Sequence, residues 1–174
     1  NAKTRFRFVC TGNEAAATGH ALGLDYFGWQ RIVVPGAIEG ENADIENVQD
    51  GRITVQELGN RYSGGNQLWF HPQGGRTGAS FEWPFDVPED GRYEISVYFT
   101  KSWDYAKVRV YLGQTPIDTY DTYAPTVVWD GKTRLGVFDL QPPRARLKFE
   151  VVGRNEKSQG VLVGIDCITV RRVE

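Results

Sequence analysis

The 174-residue sequence has no methionine, only two histidines and two cysteines, and no marked excess of charge of either sign. Each shortage removes a class of function. Zinc sites want three or four nitrogen or sulfur ligands, whereas His20, His71, Cys10 and Cys167 are scattered and form no CxxC pair. A thiolate metal site or redox motif is excluded by that count. The two cysteines are compatible with one disulfide between an early and a late strand, or with two buried thiols. A net charge of −2 leaves no basic footprint for nucleic acid, and no apolar run approaches the ~20 residues of a membrane span. There is no GxSxG elbow and no GK[ST] phosphate loop, and Ser63-Gly64-Gly65 reads as a turn.

What the chain does have is glycine (20) and aromatics (5 Trp, 8 Tyr, 9 Phe), a mixture of turn formers and strand formers that favours β-structure. The length suits one domain with a real core. The clearest pattern lies between Gly91 and Gly113. Tyr93, Ile95, Val97 and Phe99 alternate with Arg92, Glu94, Ser96, Tyr98 and Thr100, and after Lys101 to Ala106 the residues Val108, Val110 and Leu112 alternate with Lys107, Arg109 and Tyr111. A period of two on both arms predicts a half-buried antiparallel hairpin, with Trp103, Asp104 and Tyr105 at its tip.

Further strands are expected from Ala37, over Arg52 to Leu58, Gln67 to His71, Ala79 to Val87, Thr115 to Tyr120 at an edge, Leu135 to Leu140 paired with Ala145 to Val152, and Val161 to Val170 in an interior position. Tyr120 to Gly131 reads as a long loop carrying Tyr123 and Trp129. About nine strands at this spacing predict an all-β antiparallel sandwich. No stretch beyond Gly36 has a helical period. Residues 1–35 form a separate N-terminal segment, with a short strand at Thr4 to Val9 and the aromatics Tyr26, Phe27 and Trp29, reading as a linker or docking arm. Residues 36–174 form the sandwich. A start at Asn1 without an initiator methionine points to a processed or excised chain and an exported, extracellular setting.

Carboxylates are the remaining chemistry. Glu39 and Glu41, two apart on one expected strand face, would stand roughly 6–7 Å apart at the backbone. That spacing serves two oxygen ligands of calcium, an acid and base pair, or a plain solvated face. Asp166, set inside an apolar strand, needs a cation or strong hydrogen bonds to stay ionised.

The segment Ala37-Ile38-Glu39-Gly40-Glu41-Asn42-Ala43 resembles the opening strand of galactose-binding-like carbohydrate-binding modules, and Gly164-Ile165-Asp166-Cys167-Ile168 is similar to their closing strand. The resemblance implies that these strands are neighbours and that Glu39, Glu41 and Asp166 hold a structural calcium. A likeness over Val34 to Val170, through SGGNQLWF, RLGVFDL and LKFEVVGRNEKSQGVLVGIDCITV, extends to the C-terminal jelly-roll modules of difructose-dianhydride-synthase-like glycoside hydrolases. It implies a non-catalytic module that binds a polysaccharide or glycan beside a linked hydrolase domain.

Sugar C–H faces pack on aromatic rings and hydroxyls bond to amides and carboxylates. The candidates for such contacts are Tyr62, Trp69, Trp103, Tyr105, Tyr123 and Trp129, with Asn66, Asp104, Arg154 and Asn155 as polar companions. Core packing is the competing reading for Trp69, and core capping for Trp103 and Tyr105; Trp83, on its strand's alternation, belongs to the core. The rival function is an extracellular assembly subunit that docks its N-terminal strand into an identical neighbour.

Overall fold

The computed structural model describes residues 7–12, 15–16, 18–19, 22–24 and 33–173. The chain falls into two compact units, residues 1–30 and 31–174. The described residues of the first carry no strand or helix, and Phe8, Val9, Leu22 and Leu24 in it are exposed. Of the strand expected over Thr4 to Val9, residues 4–6 lie outside the described residues, as do His20, Tyr26, Phe27 and Trp29, and Arg7 to Val9 are not in a strand.

The second unit is a sandwich of two antiparallel sheets. In chain order its strands are β1 (Ala37–Glu39), β2 (Glu46–Gln49), β3 (Gly51–Glu57), β4 (Asn66–Pro72), β5 (Ser80–Asp86), β6 (Gly91–Lys101), β7 (Ala106–Leu112), β8 (Thr115–Asp121), β9 (Val128–Leu140), β10 (Arg144–Arg154) and β11 (Val163–Val173). One sheet runs β3-β4-β11-β6-β9 with β1 added beside β11; the other runs β2-β5-β10-β7-β8. Alternation builds the core between them: Leu68, Phe70, Phe81, Trp83, Val97, Phe99, Phe149 and Ile165 are all but fully buried. Phe81 bridges the sheets, 5.0 Å from Phe70 and stacked on Phe149 at 5.1 Å. Each such side chain contributes about 1.5–3 kcal/mol by leaving water.

The arms on either side of Lys101 to Ala106 do not form a hairpin. β6 pairs with β11 and β9, whereas β7 pairs with β10 and β8, so the connection crosses from one sheet to the other. Likewise β9 and β10 lie in different sheets. Alternation states that one face of a strand is buried, and is silent on which strand lies beside it. Nor is β6 half-buried in its central part: Ser96, Tyr98 and Thr100, on the face away from the core, are buried too. Tyr98 packs there with Val34 and Cys167, and Trp129 stacks on it. The outer face of this sheet is therefore partly covered, and the candidate site lies in that cover. Both cysteines are free thiols, Cys10 exposed and Cys167 buried.

Candidate functional site

Three acidic residues meet on the outer side of the β1-containing sheet. The strand expected to run on from Ala37 stops at Glu39 and gives way to a 3-10 turn, Gly40–Asn42, so Glu39 and Glu41 do not share a strand face. Gly40 explains the break. A Cβ on it would lie 2.5 Å from the carbonyl oxygen of Ile165 and 2.8 Å from both the carbonyl oxygen of Asp166 and the amide nitrogen of Leu68. Only glycine lets the turn press into the gap where β11 exchanges one neighbour for another: β4 flanks residues 163–165 and β1 flanks 167–169.

Asp166 sits in that gap as the extra residue of a β-bulge. Ile165 pairs with Phe99 and Cys167 with Tyr98, leaving Asp166 without an opposite number. The bulge turns Asp166 outward while Ile165 and Ile168, three apart, both stay in the core.

The loop before β4 closes the cluster, with its ends tied by the amides of Leu58 and Gly59 to the Gly65 carbonyl. Fully buried Ser63 donates its backbone N–H to Asp166 Oδ2 at 3.1 Å and its hydroxyl to Glu39 Oε1 at 2.6 Å, and its Oγ accepts from the Val34 amide at 2.9 Å. Gly64, at φ +62°, has no room for a side chain: a Cβ would collide with Glu41 Oε1 and lie 3.6 Å from Glu39 Cδ, which brings both glutamates to one point.

Among the described residues one buried oxygen on each carboxylate, Glu39 Oε2, Glu41 Oε2 and Asp166 Oδ1, has no hydrogen-bond partner. Burial, opposed by the Ser63 amide and the Trp129 indole and reinforced by the two glutamates, pushes Asp166 up to about 7. Burial also raises Glu39, against its hydrogen bond from Ser63 and with Glu41 adding to the rise. Among the described residues no three acidic, imidazole or thiol groups stand close enough together to hold a metal ion as they are placed. Hard carboxylate oxygens, one on each residue buried without a partner, are the donor type that calcium takes.

A separate cleft of about 180 Å³ is lined by Trp69, Trp103, Asp104 and Tyr105 with Gln56, Leu58, Ser102 and Val127. It brings together residues of β3, β4 and the crossing loop. Trp103 is 44% exposed, while Tyr105 is buried beneath. The turn between them separates two rings that an extended loop would have pointed the same way. Tyr105 reaches across Gly164, where a Cβ would lie 2.7 Å from its ring. Gln67 Nε2 donates to Gln56 Oε1 (2.7 Å) and to the Tyr105 hydroxyl oxygen (2.9 Å), and Ser102 donates to Asp104 Oδ1 at 2.6 Å. Burial raises the Tyr105 phenol, which keeps it neutral.

Tyr62 and Trp129 line a second, shallower hollow of about 400 Å³ with Arg61, Val127 and Val128, so Val127 borders both. Trp129 lies in β9, not in a loop, and stacks on Tyr98 with centroids 5.9 Å apart. Tyr123 bridges to Ser102 beside the cleft, and Asp121 accepts from the Tyr123 amide and from Asn155 Nδ2. Asn155 Oδ1 accepts from Lys157, so both ends of its amide are used within the protein. Asn66 opens β4 opposite Glu57, and Arg154 is exposed at the end of β10. Sequence reasoning missed Ser63 and Gln56. The parity of Arg52, Thr54 and Gln56, opposite to core residue Ile53, was the signal for Gln56.

No protein-family model and no curated protein matches the chain. Solved structures do. A Paenibacillus xanthan lyase matches with TM-score 0.70 at 19% identity, over 87% of this chain and 14% of the lyase. A family 35 carbohydrate-binding module (CBM35) from Paenibacillus barcinonensis matches with TM-score 0.55 at 16% identity, over 79% of this chain and 98% of the module. The fold is the antiparallel β-sandwich of this family 35 module. A Podospora anserina GH26-CBM35 β-(1,4)-mannanase matches with TM-score 0.53 at 12% identity, over 79% of this chain and 27% of the enzyme. The chain thus spans a small part of the large enzymes it resembles and nearly the whole length of the isolated family 35 module.

Proposed function

We propose that this chain is a non-catalytic carbohydrate-binding module, stabilised by calcium and working outside the cell as an appended part of a larger carbohydrate-active protein. The observation that carries the reading is the cleft, in which Trp69, Trp103 and Tyr105 supply aromatic surface and Asp104 and Gln56 supply hydrogen-bonding groups. Such a site suits a saccharide, whose ring faces are apolar and whose hydroxyls are not. Hydrolysis of a glycosidic bond calls on a pair of carboxyl groups flanking it; among the described residues lining this cleft Asp104 is the lone carboxylate. The adjoining hollow at Tyr62 and Trp129 extends the aromatic surface. Tyr123 and Asn155 serve the scaffold around Asp121.

Glu39, Glu41 and Asp166 would hold the calcium, which supplies positive charge to their unpartnered oxygens. Ser63 fixes two of the carboxylates, Glu39 and Asp166, and the Trp129 indole lies against Asp166 as well. Extracellular modules hold calcium at roughly 10⁻⁴–10⁻³ M, a concentration that the cytosol does not supply. Nothing described favours the assembly-subunit reading. The mannanase and lyase neighbours support a module joined to an enzyme.

The test is affinity electrophoresis against a polysaccharide panel with wild type and Trp103→Ala. Retention by at least one polysaccharide is expected, weakened about ten-fold or more in the variant, since an exposed aromatic stacking partner is worth one to two kcal/mol. No retention on any polysaccharide, or retention that ignores Trp103, would overturn the reading.

A further inference from the structure

Behind the cleft lies a glutamine whose burial its strand pattern does not explain. Leu68 and Phe70 of β4 point into the core, so Gln67 and Trp69 belong to the outer face, where a polar side chain ordinarily reaches water. Gln67 is nevertheless fully buried, the one amide side chain that is among the described residues.

The surroundings are shaped to hold it. Gln67 Nε2 donates at 2.7 Å to Oε1 of Gln56, its direct partner on β3, and at 2.9 Å to the Tyr105 hydroxyl oxygen. β11 makes room for both side chains with Gly164: a Cβ there would lie 2.5 Å from Gln67 Oε1 and 2.7 Å from the Tyr105 ring and hydroxyl. Gln67 Oε1 itself has no partner among the described residues, and an unpaired buried amide oxygen opposes folding. An apolar side chain of similar size would fill the space without that orphaned oxygen. Stability alone therefore does not account for the amide. Both groups that it grips, Gln56 and Tyr105, line the cleft.

The grip fixes a polarity. A side-chain amide has an accepting end and a donating end. With Oε1 held by Gln67, Gln56 turns its Nε2 away from Gln67, and that NH2 group makes no hydrogen bond to any described residue. Trp69 Nε1, on the neighbouring strand, is also without a partner. From the crossing loop, Asp104 brings a carboxylate whose Oδ1 accepts from Ser102. The strands thus contribute N–H donors to the cleft and the loop contributes acceptors.

We propose that Gln67 is a positioning residue of the binding site: it locks the Gln56 amide so that its NH2 group meets a saccharide oxygen in the cleft. A side chain already held in its binding orientation loses less freedom when the ligand arrives, whereas an unheld amide would present either end. The inference rests on the saccharide reading of the cleft.

The experiment is a double-mutant cycle read by affinity electrophoresis of the full chain on hydroxyethylcellulose, galactomannan, arabinoxylan and polygalacturonate. On a polymer that retains wild type, Gln56→Ala and Gln67→Leu should each weaken retention about five-fold, the worth of one hydrogen bond. The double variant should be no weaker than Gln56→Ala, because Gln67 acts through Gln56. A second readout uses wild type alone: a hexasaccharide cut from the retained polymer should shift the Gln56 side-chain NH2 signals in a ¹⁵N–¹H spectrum. Retention unchanged in Gln67→Leu or in Gln56→Ala, losses that multiply in the double variant, or Gln56 NH2 signals that the hexasaccharide leaves in place would each overturn the role of Gln67 while leaving the cleft standing. Retention of wild type by no polymer would overturn the saccharide reading and this role together.

Discussion

Two groups of charged residues lie on opposite sheets of this sandwich and are arranged in contrary ways. On the β2-β5-β10 surface, Arg144 stands 3.4–3.5 Å from carboxylates of Asp44, Glu46 and Asp86, and Arg146 stands 3.3 Å from Glu82 and 3.8 Å from Glu46. Signs alternate and water reaches the pairs. Around β1 and β11, Glu39, Glu41 and Asp166 share one sign, sit under a loop, and keep an unpartnered buried oxygen each. The first arrangement is what a surface adopts with little at stake, since exposed pairs are worth about 0–1 kcal/mol. The second opposes folding unless something positive joins it. Charge that a fold does not need for stability, and shelters nonetheless, marks a site.

The comparison can be broken at its geometric root by Gly40→Ala. The added methyl meets backbone atoms at 2.5–2.8 Å that cannot swing aside, so a loss of about 3 kcal/mol or more is expected in urea unfolding, together with loss of any calcium response. A tolerated methyl would mean that the turn is not wedged between β4 and β11.

A smaller effect, of a few kcal/mol, should appear as pH dependence in the presence of chelator. Asp166 is raised in the folded state from an ordinary 3.8 to about 7, so between these values the native state holds a proton that the unfolded chain has released. Stability is then greatest below the unfolded value and falls as pH rises toward 7. Glu39 is raised too and acts in the same direction. Calcium should flatten this fall by binding the ionised forms. Denaturant midpoints across the pH range check it; stability rising from pH 4 to 7 under chelator would refute the buried-anion account.

The least effect is expected on the paired surface. Arg146→Ala should change stability by no more than about 1 kcal/mol, and less in high salt. A loss comparable to that of Gly40→Ala would erase the distinction between the two groups.

How much of this was legible in the sequence differs from element to element. The sandwich was, because alternation at Tyr93 to Phe99, Val108 to Leu112 and Leu147 to Val151 records burial directly. Pairing was not: β6 and β7 read as a hairpin because a two-residue period is the same whichever sheet a strand joins. The 3-10 turn was hidden because Glu39-Gly40-Glu41 also fits an alternating strand, and only the tertiary gap between β4 and β1 shows why Gly40 bends. β2 escaped notice since Glu46 to Gln49 lies at a sheet edge, half-buried at its first residue and exposed beyond it. The bulge left a trace in the parity slip from Ile165 to Ile168. Trp129 followed a turn-rich stretch and read as loop, although its stacking on Tyr98 holds it in β9. Cleft membership of Trp69, Trp103, Asp104 and Tyr105 depends on the crossing loop returning over β4, which no local pattern encodes.

The most direct test of the central claim, that the buried carboxylates are a calcium site within a binding module, is the thermal midpoint of the full chain at about pH 7.5, with roughly millimolar calcium and with chelator, in wild type and in Asp166→Asn. A ligand that binds only the folded state must raise the midpoint, so wild type should melt several degrees higher with calcium, and Asp166→Asn should show little difference between the two conditions. Identical wild-type curves with calcium and with chelator would contradict the account.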